Sequence, residues 1–200
     1  MEGRVRYLLP GICLLLAACT SPDSHYHTLM SSTPSAAYRS HFDIGVLPVI
    51  VPAQLDMQQV VIRENSSGAA ILENERWLSP LADEFATALS AQLAERLATQ
   101  DISGLASQPN RPVVTVKVKV RRFDSWPGNK IHLQADWVLT LKPENRQALC
   151  HSDLSQAVRG DVSALFPAWQ TLLNRLSEQI AATAITLSTQ IASCPAQGNL

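Results

Sequence analysis

The sequence has 200 residues, with 16 Lys and Arg against 17 Asp and Glu, and a formal net charge of −1. This near-balance excludes the clustered basic excess that is typical of nucleic-acid-binding proteins. The hydrophobic share of 46% is ordinary for a globular protein with a core, and the length is that of one domain.

The N-terminal segment has the pattern of a bacterial export signal. Arg4 and Arg6 precede an apolar run from Leu8 to Ala18. That run is too short to cross a bilayer, which takes about 20 residues. We therefore predict a signal peptide at residues 1–18.

The end of the signal predicts a lipoprotein. Leu16-Ala17-Ala18-Cys19 is a lipobox, in which small residues fit a peptidase and the Cys19 thiol carries the lipid. An ordinary signal peptide followed by a chance cysteine is the alternative. Thr20 stands where an Asp would favour retention at the inner membrane, so we predict a lipid anchor on the periplasmic face of the outer membrane. This covalent lipid is the only prosthetic group that we predict.

The remaining cysteines leave two interpretations open. Cys13 departs with the signal and Cys19 is lipidated, so Cys150 and Cys194 remain. In the oxidising periplasm the two would form a disulfide. Two buried free thiols are the alternative.

Residues 19–40 are rich in Ser, Thr, Pro and His, which predicts a flexible tether. Alternation from Tyr26 to Leu29 allows a short edge strand within it. His25 and His27 have the spacing of a metal-binding pair, but no further ligand stands nearby, so we predict a solvated linker and no metal site. A domain over residues 41–192 follows, and then a polar, disordered tail at 193–200.

The domain begins with short strands. Alternation predicts a strand from Phe42 to Leu47, ended or bulged by Pro48. Gln59 to Arg63 and Ala69 to Glu73 flank Asn-Ser-Ser-Gly, whose turn chemistry predicts a hairpin.

That hairpin, at residues 58–73, has few apolar side chains. We therefore predict that it projects from the core and meets a partner or a second copy of the chain, with Val60 and Ile62 as contacts. A loop over the domain's own core is the alternative interpretation.

Ser79-Pro80 predicts the start of a helix, because Ser accepts bonds from first-turn amides and Pro loses none there. An apolar stripe of four-residue spacing extends this helix to about Ala98, through Leu81, Phe85, Leu89, Leu93 and Leu97. Just before it, Trp77 is either a side chain that packs over the first turn or an anchor for a partner.

The next pair of strands alternates strictly, over residues 114–121 and 131–141, around a Trp-Pro-Gly-Asn turn. The apolar residues have even numbers in the first strand and odd numbers in the second. A hairpin that places both sets on one face therefore pairs residues whose numbers add to an odd sum. A sum near 255 pairs Lys119 with Asp136 and Val118 with Trp137.

A third, weaker strand is predicted from Gln147 to Gln156, and a final amphipathic helix from about Pro167 to Thr189. The element order predicts an α+β fold of two layers, with two helices on one face of an antiparallel sheet. The other sheet face is polar and meets water or a partner.

The search for catalytic motifs finds no nucleophile elbow, P-loop, H-E-x-x-H or C-x-x-C. His132 and Asp136 share a strand face, which we interpret as a solvated surface. His151-Ser152-Asp153 cannot form a triad from adjacent residues, because alternation places Ser152 on the opposite face. We predict no catalytic residues and no enzyme.

Taken in order, these motifs resemble a known family. They are the lipobox, Tyr26 to Leu29, Ile44 to Pro48, and Trp77 with Ser79-Pro80-Leu81, followed by the Val-rich, Trp137 and Trp169 segments. The chain is similar to the ABC-type transport auxiliary lipoproteins, which are PqiC-like (YmbA-type) proteins. Nothing in that family pattern supports pairing of Cys150 with Cys194.

The resemblance implies a non-catalytic docking subunit at the outer membrane. Its partner would be a periplasmic transporter subunit with MCE domains, in a Pqi-like system that moves phospholipid between the two membranes. The alternative is a cell-envelope integrity or outer-membrane assembly lipoprotein with a different partner.

Overall fold

The computed structural model describes residues 23–30, 36–190 and 193–195. The predicted signal peptide, Cys19 and most of the predicted tail lie outside these ranges. Nine elements position the surfaces discussed below: β1 His25–His27, β2 Asp43–Val46, β3 Gln59–Arg63, β4 Ala69–Trp77, α1 Leu81–Leu97, β5 Val113–Trp126, β6 Lys130–Lys142, β7 Arg146–Ala157 and α2 Leu165–Thr189.

The fold is α+β, as predicted, but its strands form two sheets across the described ranges. The larger sheet has the order β2-β5-β6-β7, and the smaller has the order β1-β4-β3. The prediction of one antiparallel sheet is wrong in this respect. β2 pairs with β5 in parallel and β1 pairs with β4 in parallel, because each is a short edge strand that arrives from a distant part of the chain.

The long hairpin has the predicted register. Lys119 pairs with Asp136, and Val118 pairs with Trp137. Alternation limits the register to odd sums, and the position of the turn selects the sum of 255 among them. Beyond Val120 a β-bulge shifts the pairing by one residue.

Both helices pack against the apolar face of the larger sheet. The predicted stripe of α1 is buried throughout, and α2 buries Trp169 and Leu173 among others. α1 contacts β2, α2 contacts β6 and β7, and the two helices contact each other. One core therefore lies between the helices and this sheet.

The start of α1 differs from the prediction in its capping. Pro80 occupies the N-cap position and cannot cap the helix with its own side chain, whereas Asp56 Oδ1 accepts from the first-turn amide of Ala82 at 3.2 Å. The Ser79 hydroxyl instead donates to Glu84 Oε1 at 3.1 Å. Glu84 is buried in the first turn, where the helix dipole favours a negative charge.

Candidate functional site

The predicted lipid-attachment residue, Cys19, lies outside the described residues, so its surroundings are not part of the site geometry. The described chain resumes at Asp23. Across the described ranges, no helix combines the length and the apolarity that a membrane span requires.

Residues 23–30 are held on the domain. β1 pairs with β4, with Tyr26 opposite Arg76 and His27 opposite Trp77. Leu29 is 1% exposed and belongs to the core. The flexible tether predicted for residues 19–40 therefore does not hold for residues 23–30, where the short strand at Tyr26 is part of a sheet. The folded region begins before Phe42.

A buried carboxylate holds this segment in place. Glu84 Oε2 accepts hydrogen bonds from Thr28 Oγ1 at 2.8 Å and from the backbone amide of Leu29 at 3.0 Å. Gln170 of α2 donates its amide Nε2 to the carbonyl oxygen of Thr28 at 3.1 Å. Both helices thus contribute side chains that recognise the N-terminal segment.

The two histidines of β1 contact a carboxylate of β4. His25 Nδ1 lies 3.0 Å from Glu75 Oε1, and His27 Nε2 lies 2.5 Å from Glu75 Oε2. The His27 ring also stacks on Phe166, with ring centroids 3.4 Å apart. Burial opposes ionisation of Glu75, but the hydrogen bonds from both histidines outweigh it, and the pKa of the Glu75 carboxyl lies below its ordinary value.

Each histidine of this pair thus has the Glu75 carboxylate as its partner. In the part of the chain that the structure describes, no three His, Cys, Asp or Glu side chains come together as metal ligands.

The predicted hairpin exists as β3 and β4, but it is not an excursion from the core. Val60 is 3% exposed and Trp77 is 2% exposed. The Trp77 ring makes edge-to-face contacts with Phe123 and Phe166, at centroid distances of 6.2 and 5.5 Å. Val60 and Trp77 therefore pack within the domain, and their predicted role as surface contacts for a partner is wrong. Ile62 is half-buried at the edge of the core.

A cleft beside the turn end of this hairpin was missed from the sequence. It encloses about 210 Å³ between β3 and the end of β5. The bulge after Val120 breaks the alternation, so that Arg121 and Arg122 are both exposed. The apolar wall of the cleft is formed by Pro52, Leu55, Val61 and Ile62. Its cationic rim is formed by Arg63, Arg121 and Arg122.

Asp124 organises the rim. It is buried, its Oδ1 lies 2.8 Å from Arg63 Nε, and its Oδ2 lies 3.5 Å from Arg122 Nε. A buried carboxylate shared by two guanidinium groups fixes the hairpin against β5. The change of apolar phase between Val120 and Phe123 was the one sequence signal that could have located the bulge.

The outer face of the larger sheet carries a network of paired charges. Asp136 bonds to His151 Nδ1 at 2.7 Å and to Arg121 Nε at 2.6 Å, and these two bonds lower the pKa of its carboxyl. Partial desolvation raises the pKa of the Asp153 carboxyl, but hydrogen bonds from Gln134 and His132 outweigh this, and the pKa is lowered.

Ser152 faces the other side of β7, as alternation predicts. Its hydroxyl accepts from Trp137 Nε1 at 2.8 Å and donates to Gln179 Oε1 at 2.6 Å. The hydroxyl is therefore part of the core packing and lies away from the His151 and Asp153 face.

Cys150 and Cys194 are joined by a disulfide, with Cα atoms 5.4 Å apart. Of the two possibilities that the sequence leaves open, the structure contains the bonded one. The bond ties β7 to the chain that follows α2.

Comparison with known proteins identifies related chains. The model of the ABC-type transport auxiliary lipoprotein component family matches residues 27–181. A crystal structure of an uncharacterized protein is similar with a TM-score of 0.63 at 18% identity, covering 80% of this chain and 98% of the other. The crystal structure of protein XCC0632 from Xanthomonas campestris, of family DUF330, is similar with a TM-score of 0.59 at 15% identity, covering 81% and 95%. At these identities the two structures support the fold alone. The comparison with curated proteins yields no match.

Proposed function

The chain belongs to the ABC-type transport auxiliary lipoprotein component family, and from that membership we propose that it is a non-catalytic, lipid-anchored docking subunit. Cys19 carries the lipid in the outer membrane, on its periplasmic face. The partner is a periplasmic transporter subunit with MCE domains, in a Pqi-like system that moves lipid between the membranes.

The observation that carries this proposal is the position of the family match relative to the lipobox. The match begins at residue 27, within β1, and extends into α2. The lipobox ends at Cys19, only a few residues earlier in the chain. A family domain placed directly behind an anchoring cysteine supports a subunit that works close to a membrane.

We place the partner contact at the cleft beside the turn end of the hairpin. Ile62, Arg63 and Arg122 line it together. Half-exposed guanidinium groups beside apolar side chains suit a protein interface, since Arg is enriched there. A partner surface with acidic side chains would complement the rim.

Anchoring is tested with Cys19→Ala. We expect loss of labelled-palmitate incorporation and loss of co-fractionation with outer membrane on a sucrose gradient, because the lipid supplies stable attachment. A variant that stays in the outer-membrane fraction without label would contradict the anchor.

Docking is tested by pull-down of the MCE-domain subunit from solubilised envelopes. Arg122→Ala should reduce recovery, whereas Lys117→Ala, an exposed charge on the outer face of the larger sheet, is the matched control and should not. Equal recovery with both variants would contradict the cleft as the contact. Light scattering on the same variants tests self-association, and a lower mass with Arg122→Ala would assign the cleft to a second copy instead.

A further inference from the structure

The distance between the anchor and the folded domain is limited by the covalent chain. Six residue steps separate Cys19 from His25. Even a fully extended chain of that length spans only about 20 Å. If Cys19 is lipidated, β1 cannot lie farther than that from the lipid surface.

The limit applies to β1 itself and constrains the orientation of the domain, because β1 is fixed to other elements. It is paired to β4, and the residues that follow are bound by Glu84 and Gln170. The β1 edge of the smaller sheet is therefore the part of the domain nearest to the anchor.

An amphipathic patch is exposed at this edge. Tyr26 is 57% exposed and Leu78 is 59% exposed. Tyr26 and Arg76 are Cα partners in the register, and the amide of Leu78 donates to the carbonyl of His27 at 2.9 Å. Since His27 and Trp77 face the core, alternation places these three side chains together on the outward face.

Arg76 keeps its positive charge available. Its Nε donates to the backbone carbonyl of Glu73 at 3.0 Å, and no carboxylate of the described residues pairs with it. A guanidinium between a tyrosine and a leucine has the chemistry of a bilayer interface. At such an interface, an aromatic ring lies at the depth of the headgroups, an apolar side chain lies deeper, and a cation contacts a lipid phosphate.

We propose that Tyr26, Arg76 and Leu78 form a membrane-contact patch, which seats this face of the domain on the phospholipid surface that holds the Cys19 anchor. The inference rests on the lipidation of Cys19 in the proposed function. The lipid retains the protein in the membrane, and the patch sets which face of the domain points to it.

The test uses the mature chain, residues 19–200, with its disulfide intact and the Cys19 thiol coupled to a maleimide phospholipid. The vesicles contain phosphatidylethanolamine, phosphatidylglycerol and a doxyl-labelled quencher lipid. Fluorescence of Tyr26→Trp is compared with that of Leu105→Trp, each after subtraction of the wild-type signal. Leu105 is an exposed control in the loop between α1 and β5.

Coupling should shift the added emission of Tyr26→Trp to the blue and make it sensitive to the quencher, while Leu105→Trp stays unquenched. Adding Leu78→Asp to Tyr26→Trp should remove most of the quenching, because a charge on the patch opposes contact with lipid. Circular dichroism checks that each variant is folded.

Equal quenching at both positions, or none at position 26, overturns the proposal. Quenching that survives Leu78→Asp also overturns it, because nearness without contact would then explain the signal. Chemical coupling does not depend on lipidation in cells. Failure of palmitate labelling therefore counts against the anchor alone, and failure of quenching counts against the patch alone.

Discussion

The two sheets of the domain obtain their order in different ways. The larger sheet contains β5, β6 and β7, which are 14, 13 and 12 residues long and pair along most of their length. The smaller sheet contains strands of 3, 9 and 5 residues in the order β1-β4-β3. A short ribbon of this kind is marginal alone.

The smaller sheet is therefore stabilised by what it touches. Val60 and Trp77 enter the common core, Arg63 pairs with the buried Asp124, and Glu84 binds the chain just after β1. The comparison teaches that backbone pairing and apolar alternation specify the larger sheet. A few buried polar contacts from the helices and from β5 specify the smaller one.

The largest expected effect comes from breaking the larger sheet. Trp137→Ala should lower the free energy of unfolding by about 3–5 kcal/mol, because it opens a cavity and leaves Ser152 without a donor. Denaturant titration measures it, with Val138→Ala on the outer face as the control. A midpoint close to wild type would show that Trp137 does not support the core.

The second effect concerns the cross-link at the end of the larger sheet. Cys194→Ala should destabilise the domain by about 2–4 kcal/mol, since the bond spans a separation of 44 residues. Cys194 is exposed, so the substitution leaves no buried cavity. Reduction of the wild-type protein should lower the denaturant midpoint to the same extent, and a clear mismatch would contradict an effect of the bond alone.

The third prediction separates the two sheets. Glu84→Gln should weaken the docking of residues 23–30 by about 1–3 kcal/mol, because the neutral amide replaces a charged acceptor of three hydrogen bonds. Hydrogen exchange should rise at Tyr26 and Leu29 while β5 and β6 remain protected. Glu95→Gln, on the exposed side of α1, is the control. Uniform loss of protection would mean that the smaller sheet is not a separate unit of stability.

The smallest effect is a pH dependence at the β1 edge. The pKa of Glu75 in the fold lies below its ordinary value of 4.5. The contribution of the ionised Glu75 carboxylate to the stability of the β1 edge is therefore complete above pH 4.5, and it is lost as the pH falls through the lowered pKa. Exchange at β1 should increase over this acid range in the wild type. The increase should be absent in Glu75→Gln, and an unchanged profile in that variant would assign it to another group.

The predictable parts of the fold were those with long periodic patterns. The register of Lys119 with Asp136 followed from strict alternation in two strands, and the buried stripe of α1 followed from its four-residue spacing. The parallel pairings of β1 with β4 and of β2 with β5 did not follow from the sequence. Three or four residues of alternation carry no information about which distant strand they join.

The candidate site was less predictable, because its residues are brought together by contacts between elements that are distant along the chain. The composition of the hairpin indicated an exposed ribbon, yet Val60 is buried and lines one small cavity together with Leu55, Trp77 and Phe123. The cleft depends on a bulge that brings Arg121 and Arg122 to one side and on a hairpin that arrives with Arg63. The proximity of these residues results from tertiary packing, and no local sequence pattern indicates it.

The disulfide has a consequence for how the protein matures. Helix α2 lies between Cys150 and Cys194 along the chain. In the folded domain α2 packs against β6 and β7, and this packing brings residue 194 back to β7. Closure of the bond therefore requires the whole segment from β7 through α2 to have been synthesised. In a pulse-labelled cell, the time at which these thiols become resistant to alkylation would date the formation of this cross-link.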